Sequence, residues 1–299
     1  MNSSRSVFRN LSLLFFAACA SHGSAPSPGP DAAVALGPSC VGDAPATGLG
    51  AYSSTLIAQM QAADLIFRAT VTAVHAKTIP DPVDTTSLVV ARVTATAYAS
   101  QGIAELGSTW GNTLTIDLAS ANLAVGATVF FLAQVETYNG GQLEVKEITR
   151  VDETQLPNIA ADAPRMMQLF AQNPLYARIA SSRAIVRGSV GSIAPEAGIC
   201  ASEHCADWQL AAVSPAETLC GAGASPLTVG YSGSMDIAWY QSPKLATDQQ
   251  GVLLLHHAPM PIDPETATPN LIVIDPLDVH PLADEATIAG LLASPPPLP

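Results

Sequence analysis

The 299-residue chain is 48% apolar and only 12% charged, which supplies real hydrophobic cores and excludes wholesale disorder. That length leaves room for two domains of ordinary size. A formal charge of −13 argues against nucleic acid, whose non-specific affinity comes from cations displacing counterions, and against direct attraction to anionic lipid.

Residues 1–19 read as an export signal. Arg5 and Arg9 form a basic start, and LSLLFFAA at 11–18 is an apolar run. It is shorter than the roughly 20 residues a bilayer needs. Small residues follow, Ala17-Ala18-Cys19, as in a secretory signal. They resemble the lipobox of bacterial lipoproteins, with Phe16 where leucine is usual. That resemblance implies a lipid on Cys19, which becomes the new N-terminus. Ordinary signal cleavage after Ala18-Cys19-Ala20 fits the same residues, and both readings predict export. Loss of Arg5 and Arg9 takes the mature charge to about −15. Residues 20–50 open with a Ser-, Pro-, Gly- and Ala-rich stretch and read as a flexible tether. No later stretch reaches about 18 uninterrupted apolar residues, so no transmembrane helix is predicted after the signal.

A helix is predicted over 54–63 (STLIAQMQAA). Five strands follow, at 65–74, 88–98, 113–118, 128–135 and 143–151, with the period-2 alternation of half-buried strands. A helix over 163–180 comes next, with Pro174 set to kink or split it. Five further strands repeat the pattern at 184–193, 208–219, 226–231, 251–256 and 271–279. The repeat aligns Arg68 with Arg187, Val71 with Val190, Val93 with Val213, LTI with LTV, and TVFFL at 128–132 with GVLLL at 251–255. The fifth strands align as Leu-x-Val, from Leu143 and Leu271. A closing helix is expected over 284–293, and SPPPLP cannot be helical. Helices are expected only between and around the strand units.

The predicted fold is mainly β: two five-stranded, meander-like OB-like barrel domains with short flanking and linking helices. Their bounds are 51–160 for the first barrel domain, 161–183 for the linking helix and 184–299 for the second barrel domain with its C-terminal helix. The opening Ala63-Asp64-Leu65-Ile66-Phe67-Arg68-Ala69-Thr70-Val71 resembles the start of the barrel in tissue inhibitors of metalloproteinases. Those inhibitors chelate zinc through a Cys-x-Cys start, which this chain lacks. The resemblance therefore implies a fold and not that inhibition.

Four cysteines besides Cys19 suit an oxidising compartment. Cys205 and Cys220 flank the strand 208–219, whose ends lie about 40 Å apart if it is continuous. A disulfide tolerates about 7 Å between Cα atoms. Cys200 with Cys205, and Cys40 with Cys220, are the expected pairs. Metal at Cys200, Glu203, His204 and Cys205 is weighed against a disulfide and set aside, because no second close ligand pair exists. His256 and His257 are strand neighbours that point to opposite faces; His280 reads as a surface residue. Asp81-Pro-Val-Asp84 and Asp275-Pro-Leu-Asp278 read as turns. No nucleophile elbow, zinc-protease motif, phosphate loop or dinucleotide fingerprint occurs, so no catalytic residue, cofactor or metal is assigned. Among Trp110, Trp208, Tyr231, Trp239 and Tyr240, the pair Trp239-Tyr240, in the loop between the third and fourth strands of the second repeat, is the binding candidate. The expected role is a lipid-anchored binding module for an extracellular or envelope protein or ligand. It would take no nucleic acid and meet the membrane only through its anchor. An extracellular hydrolase with an unrecognised site is the alternative.

Overall fold

The computed structural model describes residues 40, 49, 52–78, 85–106, 111–119, 123–139, 141–196, 206–221, 226–257 and 271–299. The signal, Cys19, the tether, Asp81, Asp84, Trp110, Cys200, Glu203, His204 and Cys205 lie outside them. The chain forms two units. The first is built on residues 38–183 with 286–299, the second on 184–285.

In the first unit α1 (Ser54–Ala62) starts where the Ser53 hydroxyl accepts the Leu56 N–H at 3.1 Å. It buries Ile57 and Met60, three apart on one face. Strands β1 (Leu65–Val74), β2 (Leu88–Ala99), β3 (Thr113–Asp117), β4 (Thr128–Asn139) and β5 (Gln142–Val151) close into a barrel in the order β1-β2-β3-β5-β4. The expected meander is thus corrected: β3 pairs with β5, in parallel. In the β4–β5 hairpin Asn139 faces Gln142. The hairpin keeps β5 beside β4 while β4 gives its other edge to β1, so β3 meets the free edge of β5.

Alternation decides what fills the barrel. Leu65, Phe67, Ala69 and Val71 of β1 share one core with Leu114, Ile116, Phe131, Ala133, Leu143 and Val145. The Phe67 and Phe131 rings stack with centroids 5.5 Å apart. Burying each such side chain contributes about 1.5–3 kcal/mol. The intervening residues of β1 and β4 include Ile66 and Leu132, which are buried as well. Against this unit pack α3 (Ile159–Gln172), lying on β2, and α4 (Pro174–Ser181), lying on α1. Pro174 splits the expected helix by starting α4, where its missing N–H is harmless. Gln61 Nε2 donates to the Ala177 carbonyl at 2.8 Å, and the Tyr52 hydroxyl to Asp162 at 2.6 Å. A short helix inside the unit, α2 (Gln101–Leu106), corrects the expectation of helices only outside the strands. It buries Ile103 over one end of the barrel core.

The second unit comprises β6 (Ala184–Pro195), β7 (Trp208–Gly221), β8 (Leu227–Ser232), β9 (Gln250–His257), β10 (Leu271–Val273) and β11 (Val279–His280). They form a six-stranded sheet in the order β10-β8-β7-β6-β9-β11, and β10 also pairs with β9. Each of the five pairings in the first unit therefore has its counterpart. Leu114, Thr115 and Ile116 face Ala91, Val90 and Val89, as Leu227, Thr228 and Val229 face Val213, Ala212 and Ala211. Ile116 meets Val145 in parallel, as Val229 meets Leu271. Val145 meets Val135, as Leu271 meets His257. Register shifts between Ile66 and Phe67 and between Arg68 and Ala69 recur between Ile185 and Val186 and between Arg187 and Gly188. Bulges are local, designed irregularities of a strand. Their recurrence at counterpart positions is stronger evidence of one pattern used twice than any match of valines.

The registers also correct the alignment. Thr70 faces Thr128 while Ser189 faces Gln250, so 128–132 matches 250–254 and not 251–255. A slip of one residue exchanges the two faces of a strand. In the observed register Phe131 and Leu253 both point into their cores. Val93 matches Pro215 and not Val213, and Leu271 matches Val145 and not Leu143; these shifts of two keep the face. The expected strand 271–279 is broken. Pro276 starts a 3-10 turn, Pro276–Asp278, and the Asp275 carboxylate caps it by accepting the Leu277 N–H at 2.9 Å. After the break β11 adds to β9. That approach requires Gly251, because a Cβ there would lie 2.5 Å from the His280 carbonyl oxygen.

Candidate functional site: a braced apolar loop

The connection from β8 to β9 runs over 233–249, and hydrogen bonds fix its course. The Ser232 hydroxyl donates to the Ala206 carbonyl at 2.7 Å. The Gly233 and Ser234 N–H groups donate to the Asp207 and Ala206 carbonyls at 3.0 Å. The Asp236 N–H donates to the Ser234 hydroxyl oxygen, and the Asp236 carboxylate accepts the Ala238 N–H at 2.8 Å. This is the local side-chain turn that makes Asp a turn former. Backbone bonds from Trp239 to Asp236 and from Ser242 to Trp239 complete two successive turns.

Lys244 locks these turns together. Its ammonium donates to the carbonyls of Ser232, Ser234 and Trp239 at 2.6, 2.7 and 3.2 Å. Three donors thus meet three acceptors. Burial pulls the Lys244 pKa below the usual lysine value. Leu245 is buried beneath the loop, in the core of the unit. Trp239 is 9% exposed and stands edge-on to Trp208, with ring centroids 5.7 Å apart.

Of the two predicted binding residues, Trp239 is thus an anchor inside the loop, and Tyr240 is 65% exposed. Two residues not singled out from sequence join it at the surface, Met235 at 70% and Ile237 at 89% exposure. Here the loop buries Trp239 and Leu245 and displays the other three. The signal that could have found them is apolar residues alternating with turn formers in Ser234-Met235-Asp236-Ile237. The corresponding connection of the first unit, between β3 and β4, spans ten residues against seventeen, and Val125 is its exposed large apolar side chain among the described residues.

The unit that carries the loop is acidic. Between Ala184 and Glu285 the sequence holds twelve Asp and Glu against two Lys and Arg. Both cations are engaged: Lys244 with the three loop carbonyls, and Arg187 with Glu217 at 2.8 Å and Glu285 at 3.6 Å. The counterpart Arg68 forms a two-point pair with Glu153, one arm at 2.7 Å.

Of the histidines singled out from sequence, His256 and His257 lie at the end of β9 and His280 on β11. Nε2 of His256 meets Asp278 Oδ1 at 2.9 Å, and Asp278 Oδ2 accepts the N–H groups of Ile274 and Asp275. His256 is 5% exposed and Asp278 fully buried, so the pair holds the turn after β10 out of reach of a substrate. His257, its neighbour on β9, is exposed on the opposite face. The predicted surface residue His280 is buried, with Nδ1 at 3.1 Å from Asp284 and Nε2 at 2.7 Å from the Leu277 carbonyl. Cys40 and Cys220 are disulfide-bonded. Among the described residues no three His, Cys, Asp or Glu side chains gather as a metal site, and no helix is long and apolar enough to cross a membrane. A crevice lined by Cys40, Tyr176, Ile179, Leu291, Leu292 and Pro295 is too tight for a water-sized sphere. The sequence matches no protein-family model and no curated protein.

Proposed function

We propose that the chain is an exported, non-catalytic binding module, held to a bacterial membrane by a lipid on Cys19, in which both units are OB-like barrels. The observation that carries the binding role is the loop stapled by Lys244, which holds Met235, Ile237 and Tyr240 outward at 65–89% exposure. Fixed apolar side chains on a rigid element lose little conformational freedom on docking, which favours binding. The five-strand order with its parallel third and fifth strands supports the OB-like reading, and the added β9–β10 pairing supports closure of the second unit. The basic, apolar and small residues ahead of Cys19 support export and lipidation.

The test uses the full chain expressed in a bacterium with labelled palmitate. The wild type should take up label and sediment with membranes, and Cys19→Ser should do neither. Passed over the immobilised wild type, an envelope extract should leave a protein that the Met235→Ser/Ile237→Ser/Tyr240→Ser chain does not retain. Equal retention by both, together with measurable hydrolase activity, rejects the module reading.

A further inference from the structure

We infer that the 235–240 loop docks a cationic polypeptide surface with an apolar centre. This rests on the binding-module reading and names the chemistry of the partner. Three observations select that occupant. The exposed side chains Met235, Ile237 and Tyr240 offer apolar contact on a loop fixed from within. The unit that carries them holds twelve acidic residues against two basic ones. Both basic groups already have partners on the chain itself: Lys244 holds three loop carbonyls, and Arg187 is paired with Glu217 and Glu285. The unit's net charge is therefore strongly negative, which attracts a basic partner and repels an acidic one.

The same facts disfavour the other occupants. An anionic bilayer is repelled by the surface that would have to approach it. A second copy would bring two acidic units face to face. Three side chains also fall short of the roughly 800 Å² per partner that a stable dimer buries. A short basic segment with a few apolar anchors needs neither a large area nor a neutral surface.

The experiment uses the full chain carrying Cys19→Ser, so that no lipid draws it to vesicles. Fluorescence anisotropy reads the binding of a labelled amphipathic lysine–leucine helix and of the same helix with glutamate for lysine. The lysine helix should bind at least about tenfold more tightly than the glutamate helix, and the Met235→Ser/Ile237→Ser/Tyr240→Ser chain should bind it about tenfold more weakly. That variant keeps every charge, and an unchanged unfolding midpoint shows that it is folded. Raising salt from about 0.05 to about 0.5 M should weaken the lysine helix further.

Equal binding by wild type and triple variant overturns the loop as the site, and so does an absence of binding by either helix. Preference for the glutamate helix, abolished in the triple variant, overturns the cationic partner but leaves the module reading standing. Co-sedimentation with phosphatidylglycerol vesicles, or a dimer in sedimentation velocity, likewise overturns the inference if the triple variant loses it.

Discussion

The two units share five pairings, their registers and two bulges, and three of their differences are instructive. Where the first has Val129, the second has Gly251, and a sixth strand lies against it. Where the second has Val273 in its core, the first has Glu147, buried and bonded to Arg150 Nε at 2.5 Å. Where the first crosses from its third strand to its fourth in ten residues, the second uses seventeen and displays three apolar side chains. The comparison separates what holds the fold from what decorates it. Registers and bulges belong to the scaffold; the third-to-fourth connection is free to vary, because loops lie on the surface and carry function.

The largest expected effects lie in the shared part. Phe131→Ala should destabilise the chain by about 3–5 kcal/mol and its counterpart Leu253→Ala by about 2–5 kcal/mol. Denaturant unfolding of both checks this, and a loss under about 1 kcal/mol at either would break the register that pairs them. Next comes Gly251→Ala. Its methyl group would meet the His280 carbonyl at 2.5 Å, so it should lose about 1–3 kcal/mol. Urea midpoints would contradict the placement of β11 if Gly251→Ala were neutral. Lys244→Met leaves three loop carbonyls without their donor and should cost about 1–3 kcal/mol. Faster amide exchange at Trp239 and Ser242 would accompany it, and unaltered exchange would argue against the staple.

The smallest effect is a matter of pH. Burial raises the Glu147 carboxyl above the ordinary glutamate value, against the pull of Arg150. The folded chain therefore binds that proton more tightly than the unfolded one. The contribution to stability is greatest below the unfolded value of 4.5 and is lost as pH rises through the raised folded value. Glu147→Gln should flatten that stretch of the stability–pH curve. An identical curve would mean that the carboxyl is not buried. The second unit has Val273 at this position, with no carboxyl to titrate.

Much of the scaffold was legible because alternation and turn chemistry act locally. Within Leu65–Val74 the buried Phe67, Ala69 and Val71 alternate with the less buried Arg68 and Thr70, and the LTI–LTV match survives in the registers. Pro174 announced the split between α3 and α4. The one-residue slip at β4 and β9 has a physical cause. Phe130, Phe131 and Leu132, like Val252 to Leu255, are buried on both faces, so apolar runs there carry no alternation to fix a register. α2 was missed because QGIAEL is short, contains glycine and buries only Ile103. The break at Pro276 was visible as an Asp-Pro turn, but the apolar residues on either side made the strand look continuous. At the loop the aromatic pair stood out, whereas Met235 and Ile237 did not, since apolar residues in a sequence ordinarily signal burial. Only the hydrogen bonds of Lys244 and the edge contact of Trp239 show which side chains face inward.

The claim on which the rest stands is that the second unit repeats the pairings of the first, including the one that joins its fourth and fifth strands. Cross-strand nuclear Overhauser effects in the isotope-labelled full chain test it directly. Antiparallel contacts between Leu271 and His257, together with parallel contacts between Leu271 and Val229, are the predicted result. Parallel contacts alone, with β9 and β10 apart, would show an open sheet and contradict the account.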